Sequence, residues 1–129
     1  MLLIDIISIT IIRPMAGATL KTSWYYILLS LASADRHGLA VAREVLTLSE
    51  GQVRLWPAML YGALEDLSDR GWIEEVTDAR RRPPDESERK RYYRITRAGR
   101  AAAATETDRL ASLVRVARAR VKPRTGETS

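Results

Sequence analysis

The stretch from 55 to 75, LWPAMLYGALEDLSDRGWIEE, decides the fold. Pro57 suits the first turn of a helix, where the missing N–H would have no intrahelical partner. The leucines that follow recur on one helical face: Leu60, Leu64 and Leu67. Gly71 is a typical helix end, and the alternation over 72–77 predicts a strand directly after it. The segment therefore predicts a helix over about 57–70 that leads into a strand.

Two further helices are predicted before this segment. The first ends near Ala34, and its apolar residues have helical spacing: Trp24, Ile27, Leu28 and Leu31. ADRHG at 34–38 breaks the pattern, and a second helix then runs to about 49–51. Its predicted inward face consists of Leu39, Ala42, Val45 and Leu46. Residues 53–55 are a candidate for a short extended segment.

A hairpin is predicted after the third helix. The charged, proline-containing loop DARRRPPDESERK at 78–90 is followed by RYYRIT at 91–96, which reads as a second strand. The predicted fold class is mainly α with a small β-hairpin wing, because three helices followed by such a hairpin form a winged helix-turn-helix. In that arrangement the third helix is presented to a groove of DNA.

A final helix is predicted to begin at Thr96, a suitable N-cap, and to continue over 97–122. Its apolar stripe, which we call the α-terminal stripe, comprises Leu110, Leu113, Val114, Ala117 and Val121. A helix of this length at the end of a small domain cannot bury the stripe alone, so we expect a homodimer. Packing against the first helix is the alternative, and both arrangements can hold at once.

Length and composition favour one small globular domain of 129 residues with appended ends. We divide the chain into an N-terminal appendage at 1–18, a DNA-binding domain at 19–96, the dimerisation helix at 97–122 and a flexible tail at 123–129. The appendage is apolar but too short to span a bilayer, carries Asp5 and lacks a basic start, so neither an export signal nor a membrane anchor is expected.

The residue content argues against enzymatic chemistry. The chain has no Cys and one His, His37, which excludes a thiol nucleophile, a cysteine zinc site and a histidine cluster. No phosphate-binding glycine loop or nucleophile elbow is present, so no cofactor is expected. The lack of Cys also fits a reducing compartment, and we expect a cytoplasmic protein.

Positive charge is concentrated in the C-terminal half. Residues 1–77 hold 6 basic and 9 acidic side chains (−3), whereas residues 78–129 hold 15 basic and 7 acidic ones (+8). This asymmetry suits a polyanionic partner such as double-stranded DNA, because Lys and Arg displace the counterions condensed on phosphates. A solvated basic surface is the alternative.

Three segments together resemble one family. ILLSLASADRHGLAVAREV at 27–45, LYGALEDLSDRGWIEE at 60–75 and RYYRITRAGR at 91–100 occur in the order and spacing of PadR-like transcriptional regulators. The matching positions are His37, Gly38, Leu60, Tyr61, Leu64, Leu67, Gly71, Ile73, Tyr92, Tyr93, Thr96 and Gly99. The resemblance covers roughly residues 22–121 and fits the shorter subgroup, which has a single C-terminal helix.

The resemblance implies a dimeric repressor whose third helices enter successive major grooves while the wings, at about 78–91, touch the backbone or minor groove. It also implies a small phenolic or hydrophobic effector, for which Trp24 is the candidate contact; the alternative is that this ring belongs to the core. The third-helix candidates for DNA contact are Ala58, Met59, Tyr61 and Gly62. The wing candidates are Arg80, Arg81, Arg82, Arg89, Lys90 and Arg91.

The sequence departs from the family at the start of the third helix. The usual Ser-Pro-Gly-Thr is replaced by WPAM at 56–59, which removes a Ser cap and a Thr hydroxyl. Trp56 and Met59 can make apolar contacts, for instance to a thymine methyl group, or can belong to the core. Acidic residues within 85–88 interrupt the wing cations, which leaves a solvated loop as an alternative. Loss of specific DNA binding, with the winged helix serving as a protein-interaction module, is the alternative function.

Overall fold

The computed structural model describes residues 20–77 and 91–123. These residues form four helices: α1 (Thr22–Ser33), α2 (Gly38–Leu48), α3 (Pro57–Asp69) and α4 (Arg97–Val121). They also form three strands: β1 (Arg36–His37), β2 (Ile73–Glu75) and β3 (Tyr92–Ile95). The predicted mainly helical fold with a small antiparallel sheet is confirmed. The appendage at 1–18 and most of the tail lie outside the described residues.

The sheet has one strand more than the predicted hairpin. Its order is β1-β3-β2, with β3 antiparallel to both neighbours. Arg36 lies opposite Tyr93 and His37 opposite Tyr92, so the segment predicted only to interrupt two helices is a short edge strand. The extended candidate at 53–55 is not a strand, because the backbone N–H of Val53 donates to Ser49 Oγ at 2.9 Å instead of joining a ladder.

Helix α1 is the centre of the core. It contacts α2, α3, α4 and β3. Its predicted inward residues are all buried: Trp24, Ile27, Leu28 and Leu31. Leu60, Leu64 and Leu67 of α3 are at most 2% exposed, which confirms the predicted stripe. The three helices therefore form a packed support from which the other side of α3 faces solvent.

Of the predicted inward face of α2, Val45 is buried and Ala42 and Leu46 are half-buried, but the prediction for Leu39 is wrong. The buried residues are Gly38, Val41 and Val45, whereas Leu39 is 54% exposed. The helix begins at Gly38 because His37 is its N-cap, with Nδ1 accepting from the Ala40 N–H at 3.3 Å. Val41 and Val45 face the core, which leaves Leu39 facing outward. His37 is thus a capping residue of α2.

The turn from α3 to β2 is a Schellman motif. Gly71 has φ 76°, its N–H donates to the Ser68 carbonyl, and the Trp72 N–H donates to the Leu67 carbonyl. Thr96 Oγ1 donates to the Gly71 carbonyl at 2.6 Å and accepts from the Gly99 N–H at 3.0 Å. One threonine therefore links the end of α3 to the start of α4, and its predicted role as an N-cap is confirmed.

Helix α4 has a packed half and an exposed half. The first half buries Gly99, Ala103 and Glu106 and contacts α1. Tyr25 and Thr107 join the two helices through their hydroxyl groups, which lie 2.7 Å apart. Beyond Leu110 every residue to 123 is exposed. Packing back onto α1 thus accounts for the first half only.

A carboxylate ties the packed half of α4 to the entry of α1. Glu106 is 6% exposed and accepts from Arg109 Nε at 2.8 Å and Nη2 at 2.6 Å. The Arg109 guanidinium, helped by the backbone N–H of Leu20, holds the pKa of the Glu106 carboxyl below its usual value against the opposing effect of burial. The ion pair therefore stabilises the fold only while Glu106 is ionised.

We expect Glu106→Gln to lower the free energy of unfolding at pH 7 by less than about 1 kcal/mol, because the ion pair that it removes is screened by water on the side of the exposed Arg109. A carboxyl whose pKa is lower in the folded state stabilises the fold at pH values above its unfolded-state pKa of about 4.3. This stabilisation is lost as the pH falls through the folded-state pKa. In denaturant titrations between pH 7 and pH 3, the free energy of unfolding of the wild type should approach that of the variant as the pH falls. Asp108→Asn, at a neighbouring exposed position, is the control. If the difference in free energy of unfolding between wild type and Glu106→Gln does not change with pH, ionised Glu106 is not the stabilising group.

Candidate nucleic-acid interface

The outer face of the first half of α3 is mostly apolar. Trp56, Met59 and Tyr61 are each more than half exposed, and Ala58 and Gly62 beside them are exposed as well. The inner face of the same helix is buried, so the core fixes which side is displayed. The four α3 candidates for DNA contact therefore share one solvent-facing surface, with the Tyr61 hydroxyl as the polar group among them.

Trp56 precedes the helix and is 63% exposed. Together with the 53% exposure of Met59, this excludes the alternative that the two side chains belong to the core. As N-cap, Trp56 makes no side-chain capping hydrogen bond, which is the consequence expected from the missing Ser. The Arg54 guanidinium lies over the indole ring, 5.4 Å from its centroid. The exposed indole ring therefore has a positive charge beside it.

Tyr61 is held against the start of α2. A Cβ built on Gly38 would lie 3.1 Å from Tyr61 Cε1 and 3.3 Å from its hydroxyl oxygen. Because Gly38 has no side chain, the tyrosine ring can pack closely on the beginning of that helix. Packing against α2 fixes the Tyr61 ring, and its hydroxyl is presented at the junction of the two helices.

A groove of about 660 Å³ separates α3 from the sheet. Tyr61 and Glu65 lie on its helical wall, and Glu75, Arg91 and Tyr93 lie on the sheet wall. Arg91 Nε is 3.9 Å from Glu75 Oε1, a loose and solvent-exposed ion pair. Burial raises the pKa of the Tyr93 hydroxyl, although its hydrogen bond with Arg91 opposes this effect. The Tyr93 hydroxyl is therefore neutral at pH 7.

Of the wing candidates, the structure places Arg91, which is exposed at the start of β3. The other five lie outside the described residues: Arg80, Arg81, Arg82, Arg89 and Lys90. Glu65, Asp66 and Asp69 are exposed on the second half of α3. Since carboxylates repel phosphate, any DNA contact by this helix favours its first half.

Trp24, the candidate effector contact, is 8% exposed. The edge of Trp72 packs against it, with the ring centroids 6.2 Å apart. Lys21 Nζ and the Arg70 guanidinium lie 4.9 Å and 4.8 Å from the Trp24 centroid. This ring belongs to the core of the single chain, and an effector contact through it stays a prediction.

The α-terminal stripe is the second exposed apolar surface. Leu113 is 54%, Val114 46% and Val121 77% exposed, while Leu110 is half-buried. Gly99, Ala103 and Glu106 are buried on the same face of α4, about three, two and one turns before the stripe. The stripe therefore continues a face that the domain itself covers at its beginning.

Two contacts near the candidate interface were not predicted from the sequence. Gly38 provides the space for Tyr61, and Arg54 accompanies Trp56. The contact between Gly38 and Tyr61 could not be predicted, because the two residues are distant in sequence. The second had a signal, since Arg54 and Trp56 are two residues apart in an extended segment and so point to the same side.

In 20–77 and 91–123 there is no group of three His, Cys, Asp or Glu side chains arranged to hold a metal ion. None of the helices in these two ranges is long and apolar enough to cross a membrane.

A packed helical support that displays one helix beside a small antiparallel sheet defines a winged helix-turn-helix protein of the DNA-binding class. The chain belongs to the PadR-like family of transcriptional regulators, whose family model matches residues 27–105. It is thus a PadR-like transcriptional regulator, as the order of its motifs predicts. Comparison with curated proteins gave no match.

Solved structures share the fold. A transcriptional regulator from Clostridium thermocellum has a TM-score of 0.62 at 22% identity, over 78% of this chain and 90% of that one. A PadR family transcription regulator from Clostridium difficile R20291 has a TM-score of 0.62 at 17% identity, over 77% of this chain and 97% of that one. The transcriptional regulator BldR from Sulfolobus solfataricus gives 0.61 at 18% identity, over 80% of this chain and 64% of that one.

Proposed function

We propose that this protein is a homodimeric, sequence-specific repressor that inserts α3 into the major groove and places its wing, at about 78–91, on the backbone or minor groove. The observation that carries the proposal is the outer face of α3. Its small residues Ala58 and Gly62 permit close approach to DNA, and Tyr61 offers a hydroxyl to a phosphate. The buried leucine face fixes this orientation before DNA binds.

Charge supports the same orientation. The acidic side chains of α3 lie in its second half, whereas residues 78–129 carry a net charge of +8. A helix that enters the groove by its first half keeps those carboxylates away from phosphate. The wing cations then supply the phosphate contacts that make binding depend on salt.

The dimer is supported by the length of α4. Its 25 residues span roughly 37 Å, and the second half extends beyond the surface that α1 covers. Apolar side chains on such a projecting helix are typically covered by a second subunit. The same stripe on both copies gives a self-complementary contact, as a two-fold dimer requires.

We further propose that a small hydrophobic or phenolic ligand releases the protein from DNA by binding near Trp24. The Lys21 and Arg70 cations over this ring would attract an electron-rich or anionic aromatic compound. Titration of phenolic compounds against tryptophan fluorescence, with Trp24→Phe as the reference, tests this part of the proposal. Binding that is equal in the two proteins would contradict a role for Trp24.

The decisive experiment is a fluorescence anisotropy titration with the protein's own upstream region and a scrambled duplex of equal length and composition, each at 50 mM and 200 mM salt. A specific regulator prefers the upstream fragment at both salt concentrations, although both affinities fall. Equal and salt-labile binding to both duplexes would contradict the proposal and favour a protein-interaction module.

We expect Tyr61→Phe to weaken operator binding about fivefold, the equivalent of one hydrogen bond of about 1 kcal/mol. The phenyl ring retains the packing on Gly38, so the thermal midpoint should stay within about 1 °C of wild type. Anisotropy and thermal unfolding measure the two quantities. Tyr26→Phe, a hydroxyl deletion on α1, is the matched control, and equal operator affinities for Tyr61→Phe and wild type would contradict the phosphate contact.

A further inference from the structure

The first turns of α3 lack the side chains that usually read bases. In the segment 56–62, WPAMLYG, the side-chain hydrogen-bonding groups are the indole N–H of Trp56 and the hydroxyl of Tyr61. Arg, Lys, Asn and Gln, which pair with guanine or adenine edges in the major groove, do not occur in it. Hydrogen bonding therefore gives this part of the helix little power to distinguish one base pair from another.

The same segment exposes a large apolar surface. Trp56 is the N-cap residue of α3 and Met59 lies in its first turn, so both side chains stand at the start of the helix. They are 63% and 53% exposed, and Ala58 beside them is exposed too. An exposed apolar cluster on the face that approaches DNA needs an apolar group as its partner.

In the major groove that partner is the 5-methyl group of thymine, which is the apolar feature that marks a T·A pair. The Arg54 guanidinium over the Trp56 ring adds positive charge at the edge of the cluster. One cation beside an apolar surface complements a thymine methyl group flanked by phosphates, whereas a purely apolar protein partner offers no negative charge to pair with it. Charge complementarity thus assigns the cluster to DNA.

We infer that Trp56 and Met59 determine operator specificity by packing on thymine methyl groups, an inference that rests on the proposed DNA-binding function. The operator should contain thymines at the positions facing the start of α3. At those positions the protein should discriminate by the methyl group and not by the hydrogen-bonding edge of the base.

The test replaces thymine by 2′-deoxyuridine, which removes the methyl group and keeps Watson–Crick pairing. Footprinting of the upstream region first defines the protected segment, and each thymine in it is then replaced singly. At one or two positions per half-site we expect the affinity of the wild type to fall about fourfold, the transfer free energy of one buried methyl group. Equal affinity for every uracil-substituted operator would overturn the inference.

Two variants identify the side chains responsible. Trp56→Ala and Met59→Ala should each bind the thymine operator more weakly and should lose discrimination against the uracil operator at the matching position. Val116→Ala, which truncates an exposed apolar residue on α4, should retain both affinity and discrimination. If Trp56→Ala and Met59→Ala still discriminate fourfold, the methyl contact lies elsewhere and the inference is wrong.

The proposed DNA-binding function and the thymine contact have different contradicting outcomes. A protein that prefers its upstream region to the scrambled duplex but tolerates uracil everywhere is a sequence-specific regulator that reads DNA by another route. A protein without that preference is not a sequence-specific regulator, and this result overturns the proposed function and the thymine contact together.

Discussion

Leu113→Asp should convert the protein from a dimer into a monomer. Leu113 lies at the centre of the α-terminal stripe and is 54% exposed in the single chain. A two-fold interface contains the residue twice, so the substitution removes two leucines and introduces two carboxylates. Loss of burial alone costs about 2 kcal/mol per copy, or about 4 kcal/mol per dimer, which corresponds to a dissociation constant about 1000-fold higher.

The substitution should leave the fold of each chain intact. Leu113 comes after the last buried residue of α4, Glu106, and the hydroxyl contact between Tyr25 and Thr107 holds the packed half of the helix. Circular dichroism should therefore show wild-type helix content at concentrations where the wild type is dimeric. The affinity for an operator with two half-sites should fall together with dimerisation.

Ser112→Asp is the matched control. It introduces the same charge one position earlier, on a side of α4 turned about 100° away from Leu113. Sedimentation equilibrium over a 1000-fold range of protein concentration should show a dimer for wild type and Ser112→Asp and a monomer for Leu113→Asp. A stable Leu113→Asp dimer would show that the stripe is not the dimer interface.

The parts of the fold that the sequence predicted well are those with local signals. Pro57 and Gly71 mark the ends of α3, and the backbone geometry at Gly71 requires a residue that tolerates φ of 76°. Thr96 marks the start of α4 by accepting from the Gly99 N–H. Such signals involve residues within one or two turns of one another, so they can be recognised without knowledge of the tertiary structure.

The parts that were wrong or missed depend on distant partners. Strand β1 has two residues, too few for an alternating pattern, and it exists because β3 pairs with it. The rotation of α2 depends on its packing against α1, which buries Val41 and Val45. Leu39 is apolar and has helical spacing, but neither property reveals which side of the helix meets α1.

The candidate DNA surface could be predicted only in part for the same reason. Ala58, Tyr61 and Gly62 were assigned to the outer face from the spacing of the leucines on the other side, whereas Met59 was left open between surface and core; all four are exposed on α3. Whether Trp56 belonged to the core or the surface could not be decided from spacing, because it precedes the helix. Its 63% exposure and the Arg54 cation above it required the tertiary structure.

Gly99→Ala should destabilise the fold strongly. A Cβ at Gly99 would lie 2.9 Å from Ile95 Cγ1 and would overlap the carbonyl oxygen of Trp72. That oxygen accepts from the Thr96 N–H at 3.0 Å, so displacing it also disturbs the bond between the end of β3 and the α3–β2 turn. Overpacking and one lost buried hydrogen bond together predict a loss of about 3 kcal/mol or more.

The same substitution at Gly62 provides the control, because no atom lies within 4 Å of a Cβ there. Gly62 is exposed on α3, where alanine has the higher helix propensity, so Gly62→Ala should raise the free energy of unfolding by up to about 1 kcal/mol. In thermal unfolding we expect the midpoint to fall by roughly 10 °C for Gly99→Ala and to rise by a few degrees for Gly62→Ala. Two alanine variants that unfold at the same temperature would show that α4 does not need the close backbone approach at Gly99.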